Sequence, residues 1–134
     1  MEERIEEVKA ELRALRKLSH SVEAGMRARE LHEKRLTYLR RRGDPSDADE
    51  IRRIERIIAS LLIDEHIARL SALEEKYMPL INSLPECDRT IILEGYVNGK
   101  AYWRIGRDIG YSEVGVKKRV DAAMRKMAES LSKT

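Results

Sequence analysis

The sequence of 134 residues contains no phenylalanine, only three prolines and only one cysteine. The single cysteine, Cys87, cannot form an internal disulfide, which excludes a disulfide-stapled domain and fits a reducing compartment. Long apolar runs are also missing. The longest one, Ile57 to Ile63, is far shorter than the ~20 residues that a membrane-spanning helix needs. We therefore expect a cytoplasmic protein with no membrane partner.

Catalytic motifs and metal-binding clusters are absent from the sequence as well. The three histidines, His20, His32 and His66, are scattered and do not have the spacing of metal ligands. No glycine-rich loop has the spacing of a phosphate cradle, and no nucleophile stands beside a partnering base. We expect no enzymatic activity, no metal and no cofactor.

The sequence is rich in charged and helix-forming residues instead. Hydrophobic residues make up 42% and charged residues 38% of the chain, which predicts an all-α fold with long exposed helices. Acidic and basic side chains are equal in number through residue 83, so the net charge of +3 comes entirely from the residues that follow. A local basic excess indicates an anionic partner for that part of the chain.

Residues 1–83 have the pattern of a charged amphipathic arm, a long helical hairpin or coiled coil made of two helices. Apolar residues recur at steps of three and four in both helices. The stretch 43–46 predicts the break between them, because Gly43 can cap a helix and Pro45 cannot continue one. The arm is purely structural or serves oligomerisation, with a homodimer as the expected state. The candidate oligomerisation residues are Ile5, Val8, Leu12, Leu15, Ile51, Ile54, Ile58 and Leu61.

The stripe of the second helix continues in a shifted phase from Leu70 to Leu84. Pro79 predicts that this helix kinks or ends near Tyr77, because a proline inside a helix removes a backbone hydrogen bond and clashes with the preceding turn. Pro85 marks the predicted boundary of a second module.

The second module, residues 84–134, divides into three short helices. The first is predicted from Cys87 to Val97 and the second from Ala101 to Ile109, where Gly110 ends it. Ser112 is a candidate N-cap for the third helix. This third helix carries an apolar stripe, formed by Val116, Val120, Ala123 and Met127.

Two glycines make this pattern more specific. Two helices that cross steeply need a small residue where they touch, and Gly106 supplies it. The tight turn between them needs a residue that tolerates positive φ, and Gly110 supplies that. This spacing is that of a helix-turn-helix, whose second helix enters the major groove of DNA.

The stretch "IGRDIGYSEVGVKKRVDAAMRKM" resembles region 4 of bacterial sigma factors, and "LPECDRTIILEGYVNGKAY" before it is similar to the helix that precedes the motif in that family. The whole chain resembles small phage-encoded transcription regulators of the ArpU/RinA type. The resemblance implies a sequence-specific DNA-binding regulator of late phage genes in a bacterial host cell. It also implies a contact with host RNA polymerase through the helix from Ile91 to Tyr96. Three positions depart from the family, since Gly106 replaces a small alanine, Gly115 replaces a phosphate-holding threonine and Trp103 replaces a polar residue.

The motif suggests roles for nine residues on duplex DNA. The first exposed turns of the third helix reach base edges, where lysine can donate to guanine, glutamate can accept from cytosine and valine can contact a thymine methyl group. Basic and hydroxyl side chains around the turn are phosphate candidates. The candidate base-contacting residues are Glu113, Val114, Lys117 and Lys118. The candidate phosphate-contacting residues are Lys100, Arg104, Arg107, Ser112 and Arg119.

Two other functions fit the same sequence. A small terminase subunit for DNA packaging also joins a helix-turn-helix to an oligomerising helical arm, although there the DNA-binding part usually comes first. A protein-interaction module would use the region-4 fold to bind a protein partner, and the mild net charge and Gly115 leave room for it.

Overall fold

The computed structural model describes residues 1–133 and is all-helical, with no strand in that range. It confirms that the fold is all-α and that the N-terminal helix is long. None of the helices in residues 1–133 is long and apolar enough to cross a membrane. Six α-helices follow in order: α1 (Glu2–Arg42), α2 (Ala48–Ser60), α3 (Ile63–Asn82), α4 (Glu86–Ile92), α5 (Tyr102–Ile109) and α6 (Glu113–Ser132). A 3₁₀ turn (Pro45–Asp47) precedes α2, and a π-helical turn (Leu93–Val97) follows α4.

The break between α1 and α2 lies where the sequence predicts it. Gly43 has a φ of +68°, which places it in the left-handed region that ends helices. Asp44 then caps the 3₁₀ turn, since its side chain accepts a hydrogen bond from the backbone N–H of Ser46 at 3.0 Å. Arg42 donates three hydrogen bonds to the buried Asp47 beside this turn, at 2.5 Å to Oδ1 and at 2.7 and 3.0 Å to Oδ2.

The second half of the predicted arm differs from expectation in two ways. The predicted second helix is interrupted, because α2 ends at Ser60 and α3 begins at Ile63. Leu62 between them has a φ of +50°, which a non-glycine residue rarely adopts. Pro79 does not end α3, which continues to Asn82. Pro79 lacks the N–H that would donate to the carbonyl of residue 75, and α3 continues for three residues beyond it without that hydrogen bond.

The chain forms two compact units whose limits differ from the predicted boundary at residues 83 and 84. Unit 2 consists of residues 18–69. Unit 1 joins residues 1–17 to the chain from Leu70 onward. The first turns of α1 therefore pack with the C-terminal helices.

The core of unit 1 buries most of the apolar stripe of α1. Ile5, Val8 and Leu12 are each at most 6% exposed and share one cluster with residues of α3 to α6. Leu15 is buried as well. The other members of the cluster are Leu84, between α3 and α4, and, from the helices, Tyr77, Ile81, Ile91, Ile92, Ile105, Val116, Val120, Ala123, Met124, Met127 and Ala128. The α1 residues predicted to serve oligomerisation are therefore covered by their own chain, and a partner subunit is not needed to bury them.

Unit 2 has a small core of its own. Leu36 and Leu39 of α1 and Ile54 of α2 are buried, and Ile51 and Ile58 pack against them while partly exposed. Leu61 is half-buried. The candidate oligomerisation residues of α2 thus contact α1 of the same chain. The apolar spacing of α2 does mark a buried helix face, but this face is covered by α1 of the same chain and not by a partner subunit.

Candidate nucleic-acid interface

The turn between α5 and α6 is built around two glycines, as the sequence predicts. Gly110 has a φ of +82° and caps α5, and the N–H of Tyr111 donates to the carbonyl of Gly106 at 2.8 Å. A Cβ atom on Gly106 would lie 2.3 Å from the carbonyl oxygen of Tyr111 and 3.3 Å from Cγ2 of Val116. Only glycine therefore fits at position 106, and the turn can approach α5 closely.

Ser112 caps α6, which confirms the predicted helix start. Its Oγ accepts a hydrogen bond from the N–H of Gly115 at 3.0 Å. The side chain is exposed, and its hydroxyl proton remains available to an external acceptor. The cap fixes the first turn of α6, where the candidate base-contacting residues lie.

The two faces of α6 are clearly separated. The predicted stripe of Val116, Val120, Ala123 and Met127 is buried in the core of unit 1. On the opposite side, Glu113, Val114, Lys117 and Lys118 are all exposed, and Val114 is 64% exposed. Residues three and four apart on a helix are neighbours, so Val114, Lys117 and Lys118 form one patch.

Lys117 and Lys118 have no ion pair within residues 1–133. Many other basic residues of the chain do have such partners, for example Lys9 with Asp121 and Lys34 with Glu30. Two adjacent ammonium groups in the first turns of a helix, without a carboxylate, can donate to acceptors on a ligand.

Two of the five predicted phosphate contacts are already engaged inside the protein. Lys100 donates to Oδ2 of Asp108 at 2.6 Å and lies 3.4 Å from a carboxylate oxygen of Glu94. The hydrogen bond with Asp108 raises the pKa of Lys100, and in turn lowers the pKa of Asp108. Sequence spacing could not reveal this arrangement, in which Lys100 joins the segment before α5 to the end of that helix.

Arg119 is likewise held within unit 1. Its guanidinium lies 3.4 Å from the carboxylate of Asp88, which is 5% exposed, and 3.4 Å from the hydroxyl of Tyr111. Its Cζ also lies 5.6 Å from the centre of the Tyr111 ring. Arg119 therefore ties α4 and the turn to α6, and it positions this helix through internal contacts.

Arg104 and Arg107 remain open to an external anion. Both are exposed, and Arg104 has no carboxylate within 4 Å among the described residues. Arg107 lies 3.9 Å from the adjacent Asp108, a weak and solvated contact. Its guanidinium stacks at 5.5 Å over Trp103, which is 54% exposed. Trp103 thus presents an aromatic face beside two arginines.

Asp88 is the residue of this region that the sequence did not single out. It lies 31 positions before Arg119, and an aspartate in the first turn of a helix is ordinarily explained by the helix dipole. Asp88 is buried and lies beside the Arg119 guanidinium, so it also holds that side chain in place, which only the fold reveals.

Comparison with known proteins yields no relative. No protein-family model matches the sequence, and no curated protein or solved structure shows significant similarity to it.

Proposed function

We propose that the chain is a sequence-specific DNA-binding transcription regulator that reads duplex DNA with α6. The observation that carries the proposal is the patch of Val114, Lys117 and Lys118. It lies in the first turns of a helix that is capped by Ser112 and oriented by the close turn at Gly106. An exposed helix N-terminal segment with unpaired cations fits the major groove, where base edges present acceptors.

The basic residues of this region divide into two groups, which supports the proposal. Lys100 and Arg119 satisfy carboxylates of the protein itself. Lys117, Lys118 and Arg104 have no such partner among the described residues.

Each exposed side chain receives a role from its chemistry. Lys117 and Lys118 donate to guanine N7 and O6, and Val114 contacts a thymine methyl group. Glu113 accepts from cytosine N4. The phosphate contacts come from Arg104, Arg107 and the hydroxyl of Ser112, and these fix the register on the duplex without carrying sequence information. Lys100 and Arg119 are not in this set because each already pairs with a carboxylate of the protein itself.

The biological setting comes from the resemblance, which implies control of late phage or prophage genes in a bacterial host cell. The implied contact with host RNA polymerase receives less support. Ile91 and Ile92 are fully buried, and no residue from Leu93 to Val97 is fully exposed. We therefore propose DNA, and not polymerase, as the main partner of this domain.

A homodimer remains part of the proposal, with a changed interface. The residues that the sequence suggests for it are covered within one chain, whereas unit 2 leaves large apolar side chains exposed. Met26 is 47%, Leu31 69% and Leu62 50% exposed. Mass measurement in solution tests the stoichiometry, and a ring of subunits would favour the packaging function instead.

Selection from a random duplex library tests the proposed function. The full chain should enrich a defined sequence, and Lys117→Ala/Lys118→Ala should abolish this enrichment. The matched control is Lys126→Ala/Lys133→Ala, which removes two exposed lysines from the far end of α6. If the wild-type chain enriches no sequence and instead captures a protein at high salt, the protein-interaction module is the better account.

A further inference from the structure

Most basic residues of α1 form ion pairs with carboxylates, but not all of them do. Along α1, basic side chains repeatedly pair with carboxylates, as in Arg4 with Glu7 and Arg27 with Glu23. Four basic residues of α1 have no carboxylate within 4 Å among residues 1–133, namely Arg13, Arg16, Lys17 and Arg41. The nearby Glu11 cannot neutralise Arg13 and Arg16, because Lys76 holds its carboxylate at 2.9 and 3.0 Å.

Arg13 and Arg16 line a cavity of about 300 Å³ in unit 1. The opposite wall comes from Tyr96, Gly99, Lys100 and Tyr102, and no carboxylate is among the described residues that line it. The Arg13 guanidinium lies 5.9 Å from the centre of the Tyr96 ring. A Cβ atom on Gly99 would lie 2.8 Å from Nη1 of Arg16, so this guanidinium rests directly against the backbone of a glycine.

The remaining polar groups of the cavity also suit an anion. The two tyrosines are half-buried and supply hydroxyl groups. Burial raises the pKa of Tyr102, and the hydrogen-bonded neighbour Tyr96 and the carboxylate of Asp121 raise it further, whereas Arg13 lowers it. Lys100 contributes no free charge because Asp108 and Glu94 engage it. The uncompensated charge in the cavity is therefore that of two guanidinium groups.

We propose that this cavity binds a phosphate group through Arg13, Arg16 and the hydroxyls of Tyr96 and Tyr102. Two guanidinium groups present planar pairs of N–H donors that match phosphate oxygens, and tyrosine hydroxyls complete such a shell. The phosphate comes either from the backbone of the DNA that α6 reads or from a free phosphate ion. The first source rests on the proposed function, whereas the second does not.

The test compares the full-length wild type with Arg13→Ala/Arg16→Ala. The matched control is Arg53→Ala/Arg56→Ala, since these two arginines of α2 are exposed and have no ion pair among the described residues. Arg13→Lys/Arg16→Lys keeps the charge but removes the paired donors, and should give an intermediate result. Circular dichroism confirms that each variant is folded.

The first arm measures DNA binding against salt concentration. If the phosphate belongs to DNA, the slope of log Kobs against log salt should become shallower by about 0.9 for each DNA phosphate that the variant no longer neutralises, and affinity should fall equally for all duplexes. The control should keep the wild-type slope. The second arm titrates inorganic phosphate while NMR follows the arginine side-chain N–H signals, with sodium chloride at matched ionic strength. A saturable shift in the wild type that Arg13→Ala/Arg16→Ala abolishes identifies a free phosphate site.

The two arms together decide whether the cavity binds phosphate and whether the proposed function holds. An unchanged salt slope together with no saturable phosphate shift overturns the proposed cavity, and the proposed function stands if Lys117→Ala/Lys118→Ala still abolishes DNA selection. If the wild type binds no duplex at all, the proposed function fails, and the phosphate arm alone then decides whether the cavity binds its ligand.

Discussion

Single residues set the geometry of the candidate interface, and the sequence predicts several of them. Gly106, Gly110 and Ser112 act within a few residues of their own position, through one close contact, one left-handed φ and one capping bond. Local requirements of this kind depend on few neighbours, which is why they can be predicted without the fold.

Gly106→Ala tests the close contact. We expect the free energy of unfolding to fall by ~1–3 kcal/mol, because the new Cβ must displace a backbone carbonyl and cannot move a flexible side chain instead. Gly115→Ala is the comparison, since its Cβ would lie 3.2 Å from the Ser112 hydroxyl and 3.8 Å from the Cβ of Tyr111, and no backbone atom is close to it. It should cost less. Equal stability of the two variants, measured by urea denaturation, would contradict the proposed packing of the turn.

The pairing of individual cations could not be predicted in this way. Lys100, Arg104, Lys117 and Arg119 look equivalent in a basic sequence, yet the fold gives two of them internal carboxylates. The partner of Arg119 lies 31 residues away, so its contact depends on how α4 packs against α6.

Two single substitutions should therefore have different effects. We expect Arg119→Ala to lower stability and Arg104→Ala to weaken DNA binding. Removal of the Arg119 guanidinium leaves the buried Asp88 without its cation, and should lower the free energy of unfolding. Arg104→Ala should leave unfolding unchanged and weaken binding to all duplexes alike. If Arg104→Ala destabilises the fold as much as Arg119→Ala does, the division of the basic residues into internally paired and DNA-contacting ones is incorrect.

At the scale of elements, the sequence predicts helices better than the breaks between them. The break after α1 carries Gly43 and Pro45, which are strong local signals. The break between α2 and α3 carries neither, and Leu62 adopts its positive φ within a run of good helix formers. The only trace in the sequence is the phase shift of the apolar stripe, which shows that a helix turns or breaks but not where.

The link between Lys100 and Asp108 should make the segment around α5 sensitive to acid. The pKa of Asp108 is lower in the folded protein than its ordinary value of 3.8, so its contribution is present above that value and disappears as pH falls through the folded pKa. Asp108→Asn should therefore be less stable than the wild type at neutral pH, with the difference shrinking below about pH 4. Denaturation midpoints measured from pH 7 to pH 2 check this, and a constant difference would contradict it.

At the scale of the whole chain, the predicted division at residues 83 and 84 does not coincide with the compact units. The stripe of α1 is readable in the sequence, and Ile5, Val8 and Leu12 are indeed buried, but an amphipathic pattern cannot specify which apolar surface covers it. From the heptad-like spacing we expect a second subunit to cover this stripe. The fold supplies α3 and the C-terminal helices of the same chain.

Two leucines of α1 test this assignment. Leu12 is fully buried in unit 1, whereas Leu31 is 69% exposed. Leu12→Ala should lower the free energy of unfolding by ~2–5 kcal/mol, and Leu31→Ala, measured at a protein concentration below that of dimer formation, should change it by no more than ~0.5 kcal/mol. Fluorescence of the single tryptophan, Trp103, reports on unit 1. If Leu12→Ala leaves the Trp103 transition unchanged, the first turns of α1 are not part of that core.

The central claim for the whole molecule is that α6 reads DNA sequence through its unpaired lysines. The most direct test is the ratio of the dissociation constants for a scrambled and a selected duplex, measured at one salt concentration. In Lys117→Ala/Lys118→Ala this ratio should fall at least tenfold, because each base contact contributes ~1–3 kcal/mol of discrimination. Lys126→Ala/Lys133→Ala should keep the wild-type ratio. An unchanged ratio in Lys117→Ala/Lys118→Ala would contradict the account.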